Sequence, residues 1–254
     1  MATHDVLHGI GVSAGTAAAP AAIVQPAPGV DTTEPGSVDA AADGARVREA
    51  LATVSARLSE RAANAPEETK AILKATAQLA GDRGLAKAVD KKGLGVTQAV
   101  HDAVEDYAQM LRSLGGYMAE RATDLYDVRD RAICELRGLP EPGVPAFDGP
   151  VVLVARDLAP AETATLNPET VRGIITEVGG PTSHTAILAA QLGIPAIVKA
   201  EGIMEVEEGT MLALDGGVGE VIVAPTDAEV ELLKERSRRR ALALAGSTGE
   251  GATY

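Results

Sequence analysis

Apolar residues recur along this chain with two different periods, and the switch between them happens twice. Val6–Val24 (VLHGIGVSAGTAAAPAAIV) reads as two short strands interrupted by Gly and Ser. Gln25–Ser37 (QPAPGVDTTEPGS) is a Pro/Gly/Thr-rich connector. The spacing then becomes helical: Val47, Leu51, Val54 and Leu58 form one apolar stripe among Arg, Glu and Ser. Pro66–Asp82 opens with Pro and two acidic residues and stops near Gly81, a second helix, and Leu85–Asp90 allows a shorter one. Val96, Val100, Val104, Tyr107, Leu111 and Leu114 make a third long stripe; Tyr117–Leu136, carrying Leu125, Val128, Ala132 and Leu136, makes the fourth. Four stripes on short connections predict an antiparallel helical bundle.

A second connector, Gly138–Pro150, contains four prolines, and beyond it strands and helices alternate. VVLVA, RGIITEV, IPAIVKA, TMLALDGG and VGEVIVAP read as strands, the last two as a hairpin across Asp215-Gly216-Gly217. APAETATL and TSHTAILAAQLG read as helices, and Thr226 with Glu229 forms a capping box at the head of a long charged helix. The two opening strands are too little to fold alone. The economical topology is an α/β domain built from residues 1–25 plus 145–225, with a helical bundle over residues 33–140 inserted in it. A linker helix over 226–246 and a flexible tail over 247–254 complete the expectation.

Composition narrows the function classes. The core must be built from Ala, Val, Leu and Ile, because there is no Trp and Phe147 is the single Phe. That leaves no aromatic platform for stacked bases. A formal net charge of −13 opposes phosphate backbones and anionic membranes, so neither nucleic acid nor membrane insertion is expected. Residues 31–140 carry 15 basic and 18 acidic side chains (−3), whereas residues 141–254 carry 8 and 17 (−9), which separates the two modules by charge as well as by period. One cysteine, Cys134, excludes an intramolecular disulfide framework, and the N-terminus lacks a signal-peptide pattern, so a cytoplasmic protein is expected.

The candidate chemistry lies in GGPTSHTAILAAQLGIPAIV, Gly179–Val198. An apolar strand ends in Gly179 and Gly180, which let the backbone approach a ligand, and Thr182 or Ser183 is suited to cap the helix that follows. His184 then falls in the first turn, where unpaired N–H groups and the positive end of the helix dipole favour an anion and disfavour imidazolium. A neutral, nucleophilic ring with helix donors and the Thr182 and Ser183 hydroxyls around it fits a phosphoryl carrier. It equally fits a helix-start histidine engaged in a capping or packing contact. His4, His8, His101 and His184 show no paired metal-ligand spacing, so no metal is expected. There is no G-x-S-x-G elbow, and GIGVSAG does not continue as a dinucleotide fingerprint.

GGPTSHTAILAAQLGIPAIV resembles the phosphohistidine signature of the Enzyme I family, the phosphoenolpyruvate–protein phosphotransferases of the bacterial sugar phosphotransferase system. LDGGVGEVIVAP (Leu214–Pro225), LAPAETATLN (Leu158–Asn167), ERATDLYDVRDRAICELRGL (Glu120–Leu139) and GIGVSAG resemble further segments of that family, in order along nearly the whole chain. The resemblance implies a swivelling α/β phosphohistidine domain with an inserted four-helix bundle. It implies that His184 is phosphorylated through Nε2 and that Thr163 orients its ring. Gly179, Gly180, Thr182 and Ser183 would line the phosphate. It implies that the bundle binds the phosphocarrier HPr through Gln78, Leu79, Leu85, Tyr117, Met118 and Arg121. Two departures stand out: the family commonly has Arg where Pro181 stands, and often where Ala190 stands.

The family continues into a barrel domain that binds phosphoenolpyruvate and Mg2+ and dimerises. This chain therefore looks like an amino-terminal half: a monomeric fragment of a homodimeric enzyme, with no cofactor of its own, exchanging phosphoryl groups with HPr but not charged by phosphoenolpyruvate alone. Competing readings are the phosphohistidine domain of a pyruvate phosphate dikinase or phosphoenolpyruvate synthase, and a non-catalytic docking module in which His184 is structural.

Overall fold

The computed structural model describes residues 5–65, 67–90, 94–158 and 166–249, which divide into two compact units, one formed by Met1–Gln25 with Gly143–Tyr254 and the other by Pro26–Pro142. The chain leaves and re-enters the first unit through a single antiparallel bridge. The Gln25 N–H donates to Gly143 O at 3.1 Å, and the Gly143 N–H to Gln25 O at 2.9 Å.

The Pro26–Pro142 unit is helical: α1 (Ala40–Ala63), α2 (Glu67–Ala80), α3 (Arg83–Asp90), α4 (Val96–Leu114) and α5 (Gly116–Arg137). The apolar stripes read from the sequence point inward. Val47, Leu51, Val54 and Leu58 of α1 pack with Val100, Val104 and Leu111 of α4 and Leu125, Val128 and Ala132 of α5. Both ends of the unit are fastened by polar contacts. Helix α4 starts at Gly95, which supplies no side-chain cap, and Glu34 does so from the connector: its carboxylate accepts from Thr97 N, Gln98 N and Thr97 Oγ1 at 2.8–3.1 Å. Arg137 donates to Pro28 O, Gly29 O and Thr97 Oγ1, fastening the same connector. At the other end Glu141 is held by Arg131 and Arg61, and Arg131 also pairs with Asp127 at 2.9 Å. Burial works against the charge on Arg131, but Asp127 and Glu141 outweigh it and hold its pKa above the usual arginine value.

The other unit is an eight-stranded mixed sheet in the order β1-β8-β7-β3-β4-β5-β6-β2. Its strands are β1 (Val6–His8), β2 (Ile10–Ser13), β3 (Thr16–Ile23), β4 (Val151–Ala155), β5 (Val171–Thr176), β6 (Ala196–Val198), β7 (Met211–Asp215) and β8 (Glu220–Val223). Strands β3, β4, β5 and β6 run parallel and the remaining pairings are antiparallel. VVLVA is buried at every position because β4 is covered on both faces. Val152 and Val154 join Ile175, Ile197, Ile203 and Leu214 on one face, while Leu153 and Ala155 join Ile174, Ala196 and Ala189 on the other. Ala189 belongs to helix α6 (His184–Leu192), which therefore lies on the second face.

The opening segment holds three strands instead of two. GIGVSAG serves a backbone crossing: a Cβ on Gly11 would lie 2.2 Å from Gly216 O, and one on Gly216 1.9 Å from Ser13 O, so only glycine admits the β7–β8 turn against β2. The last helix, α7 (Asp227–Gly249), carries the capping box, with Glu229 N–H donating to Thr226 Oγ1 at 3.2 Å and Thr226 N–H to Glu229 Oε1 at 3.0 Å. It runs three residues past the expected stop, so 247–249 are helical and only the rest of the expected tail lies outside the described residues. Leu233 and Val230 seat it on Ala213 and Ile222. Arg236 pairs with Glu220 at 3.3 Å, and Arg240 pairs with Asp215, which is 2% exposed and also accepts from Gly217 N.

Candidate functional site

Four parallel strands, β3, β4, β5 and β6, end along one edge of the sheet, and the chain crosses that edge immediately after β5. Beyond Thr176 the ladder to β4 continues for two residues, with Glu177 N donating to Ala155 O and Val178 N to Arg156 O, each at 3.0 Å. Ala200 N, just past β6, donates to Thr176 O at 3.0 Å. Thr176 is fully buried and its hydroxyl donates to Val178 O at 2.7 Å, which locks the strand end. Gly179 then takes φ +105°, outside the range most side chains adopt, and its α-carbon faces Ser183 and Thr176 Oγ1. The Ser183 N–H donates to Gly180 O at 3.0 Å, closing a turn with Pro181 in its second position, where a fixed φ is favoured.

Of the two residues read as suited to cap the helix, Ser183 is the cap. Its backbone is extended (φ −64°, ψ 160°), and its hydroxyl accepts from Ala186 N at 3.4 Å. His184 is the first helical residue and its side chain is exposed, as are Thr182 and Pro181. Gly193 in the left-handed region ends the helix. The described site residues Gly179, Gly180, Thr182, Ser183 and His184 thus occupy one strand–turn–helix unit. Thr163, expected to orient the ring, lies outside the described residues. Next to His184, Thr185 is 1% exposed and its hydroxyl has no hydrogen-bond partner among the described residues.

Of the other histidines, His4 lies outside the described residues. His101 Nδ1 lies 3.4 Å from Asp102 Oδ1 on α4, and His8 is an exposed residue of β1 opposite Glu220. Cys134 is buried in α5, and burial pushes its thiol pKa up. Among the described residues no group of three His, Cys, Asp or Glu could hold a metal ion, and no helix is long and apolar enough to cross a membrane. The unit can present one exposed imidazole at a helix N-terminus, beside two hydroxyls, to an anion or to a group arriving from solvent.

In the helical unit, Tyr117 (67% exposed) and Met118 (41%) open α5, and Gln78 is exposed on α2 with Leu79 half-buried. Arg121 donates to Tyr117 Oη at 3.0 Å and to Ala75 O at 2.7 Å, which brings the head of α5 against α2. Ile72, Met110 and Leu114 are also exposed there. Leu85 corrects the expectation: at 1% exposure it belongs to the core of the unit, because α3 turns that side chain inward to meet α1 and α4. Two residues that sequence reasoning did not single out stand at the strand edge. Arg156 directly follows β4 and Lys199 directly follows β6, both exposed. The signal available was a cation placed immediately after a wholly apolar strand.

Comparison with known proteins bears on these features. Residues 8–121 match the family described as PEP-utilising enzyme, N-terminal, and residues 147–219 match PEP-utilising enzyme, mobile domain. A phosphoenolpyruvate-protein phosphotransferase of Streptomyces coelicolor is 45% identical over 85% of this chain and 39% of its own length. One from Haloferax volcanii is 37% identical over 65% of this chain and 30% of its own. The chain thus spans well under half the length of these relatives. Among solved structures, the NMR solution structure of an Enzyme I protein superposes with a TM-score of 0.64 and 32% identity, over 92% of this chain and 99% of that one.

Proposed function

Because the chain belongs to the Enzyme I family of phosphoenolpyruvate–protein phosphotransferases, we propose that His184 is its phosphoryl carrier and HPr the protein with which it exchanges the group. The carrying observation is an exposed imidazole at the first position of α6, on a turn closed by Gly180 and capped by Ser183. Neutral Nε2 attacks phosphorus in line. The bond from phosphorus to the donor breaks, its electron pair leaves with the donor, and the new P–N bond carries the phosphoryl group on His184. With HPr the leaving atom is a histidine nitrogen, so the exchange runs in either direction. The first-turn N–H groups and the hydroxyls of Thr182 and Ser183 offer donors to the phosphoryl oxygens. Thr163 holds the ring in this scheme.

The docking surface proposed for HPr comprises Gln78, Leu79, Tyr117, Met118 and Arg121 on α2 and the head of α5. Its support is the run of exposed apolar side chains there, including Ile72 at 59% and Leu114 at 62%, around an arginine already fixed by Tyr117 and Asp124. The description of residues 147–219 as a mobile domain supports a swivelling role for the α/β unit. Phosphoenolpyruvate, Mg2+ and dimerisation belong, in this scheme, to the part of the relatives that this chain does not span, and the reactions take place in the cytoplasm.

The test is incubation with phospho-HPr. The chain is expected to acquire an acid-labile, alkali-stable phosphate, and His184→Ala, folded by circular dichroism, to acquire none. Label persisting in that variant would move the site elsewhere.

A further inference from the structure

Pro181 and Ala190, on the turn and helix that carry His184, are both exposed, and neither gives a phosphoryl group a cation. The strand edge that carries His184 nevertheless holds two. Arg156 is the residue after β4, and its carbonyl accepts from Val178 N at 3.0 Å, one residue before Gly179. Lys199 is the residue after β6, and the next residue, Ala200, donates from its N–H to Thr176 O at 3.0 Å. The two cations therefore flank the β5–Gly179–His184 segment from the two neighbouring strands. Carboxyl ends of parallel strands are where open α/β sheets hold ligands.

Three further observations set these residues apart. Asp157, Glu177 and Glu201 stand on the same edge, yet neither Arg156 nor Lys199 forms an ion pair with any described residue. Asp157 is occupied instead as an acceptor for Leu158 N at 2.9 Å. Both cations are exposed. Lys199 also has φ +53°, one of two non-glycine residues at positive φ among those described. A long side chain is held at a position where glycine would be unstrained. The fold carries that strain in this chain, and among the described residues the side chain forms no hydrogen bond or ion pair.

We propose that Arg156 and Lys199 supply the positive charge for the phosphoryl group on His184. The inference rests on the carrier reading above. Arg156 offers a planar fork for two phosphoryl oxygens, and Lys199 a point charge on a flexible stem. Both stabilise the negative charge spread over the equatorial oxygens as the group passes between nitrogens, leaving the nucleophile and the bonds exchanged unchanged.

The experiment follows transfer from radiolabelled phospho-HPr to the full chain at saturating phospho-HPr, for wild type, Arg156→Met, Lys199→Met, Lys199→Arg, Lys199→Gly and His184→Ala. Arg156→Met and Lys199→Met are expected to slow the saturated rate roughly five- to tenfold each, and Lys199→Arg to retain it. Lys199→Gly separates strain from charge: its melting temperature should rise by about 2–4 °C as the backbone relaxes, while transfer slows as in Lys199→Met. Saturated rates within twofold of wild type in both Met variants would overturn the proposal, as would losses confined to the concentration needed for saturation, which would assign these cations to docking. A wild-type chain that takes no label would overturn the carrier reading as well; a labelled wild type with unaltered Met variants would overturn this inference alone.

Discussion

The hydroxyl of Thr185 is buried beside His184 and has no hydrogen-bond partner among the described residues. An unmade hydrogen bond in that position costs the desolvation of the group without a return, so Thr185→Val is expected to leave the chain as stable as wild type or more stable by up to about 1 kcal/mol. A urea midpoint shifted downward by that amount would show that the hydroxyl has a stabilising partner after all. Asp124 makes a second residue-scale case. Burial pushes its carboxyl above the ordinary aspartate range, and the Arg121 guanidinium at 3.2 Å offsets this only in part. The folded chain then binds that proton more tightly than the unfolded one. The charge is a cost to stability at neutral pH, and the cost is relieved as pH falls through the raised folded value toward the ordinary one. Asp124→Asn should flatten the pH dependence of unfolding in that interval and nowhere else, as read by denaturation at a series of pH values.

At the scale of elements, the apolar period was enough to find α1, α4 and α5, because each buries one stripe rich in Val and Leu, whereas α2, which buries Ala77 and Ala80, was marked by its Pro and acidic start and by Gly81. The strand VVLVA was equally plain. Strand β3 was harder to read: Thr16–Ile23 is mostly Ala with a proline, poor strand formers, and its conformation is imposed by β7 on one side and β4 on the other. Nor could spacing choose among Thr182, Ser183 and His184 as the start of α6, since all three suit a helix head and only the dihedral angles of Ser183 distinguish the cap. Gly246 looked like a stop, but a lone glycine costs a helix only about 1 kcal/mol, and α7 continues through it. The cap that Glu34 gives α4 was beyond any local reading, because the partners are 63 and 64 residues apart. Glu34→Ala leaves the α4 head without a side-chain cap and should lower the stability of the helical unit by about 1–2 kcal/mol. An unchanged denaturation midpoint would mean that water replaces the carboxylate without loss.

For the molecule as a whole, charge and architecture divide together. The helical unit is laced by ion pairs such as Arg57–Glu135 and Arg131–Glu141, whereas in residues 141–254 acidic side chains outnumber basic ones 17 to 8. The function proposed for the chain needs only a donor that brings its own phosphoryl group. Incubation with phosphoenolpyruvate and Mg2+ but no other protein is therefore expected to leave His184 unlabelled; label appearing under those conditions would mean the chain holds a phosphoenolpyruvate site of its own. The seating of α7 has a mechanical consequence. Val230, Leu233, Arg236 and Arg240 fix the helix to the β7–β8 hairpin, and beyond Arg240 Leu242 and Leu244 are about two-thirds exposed. The last nine helical residues form a cantilever about 14 Å long. Arg240, clamped on buried Asp215, is its fulcrum, so a small tilt at the hairpin is delivered as a larger displacement at Gly249.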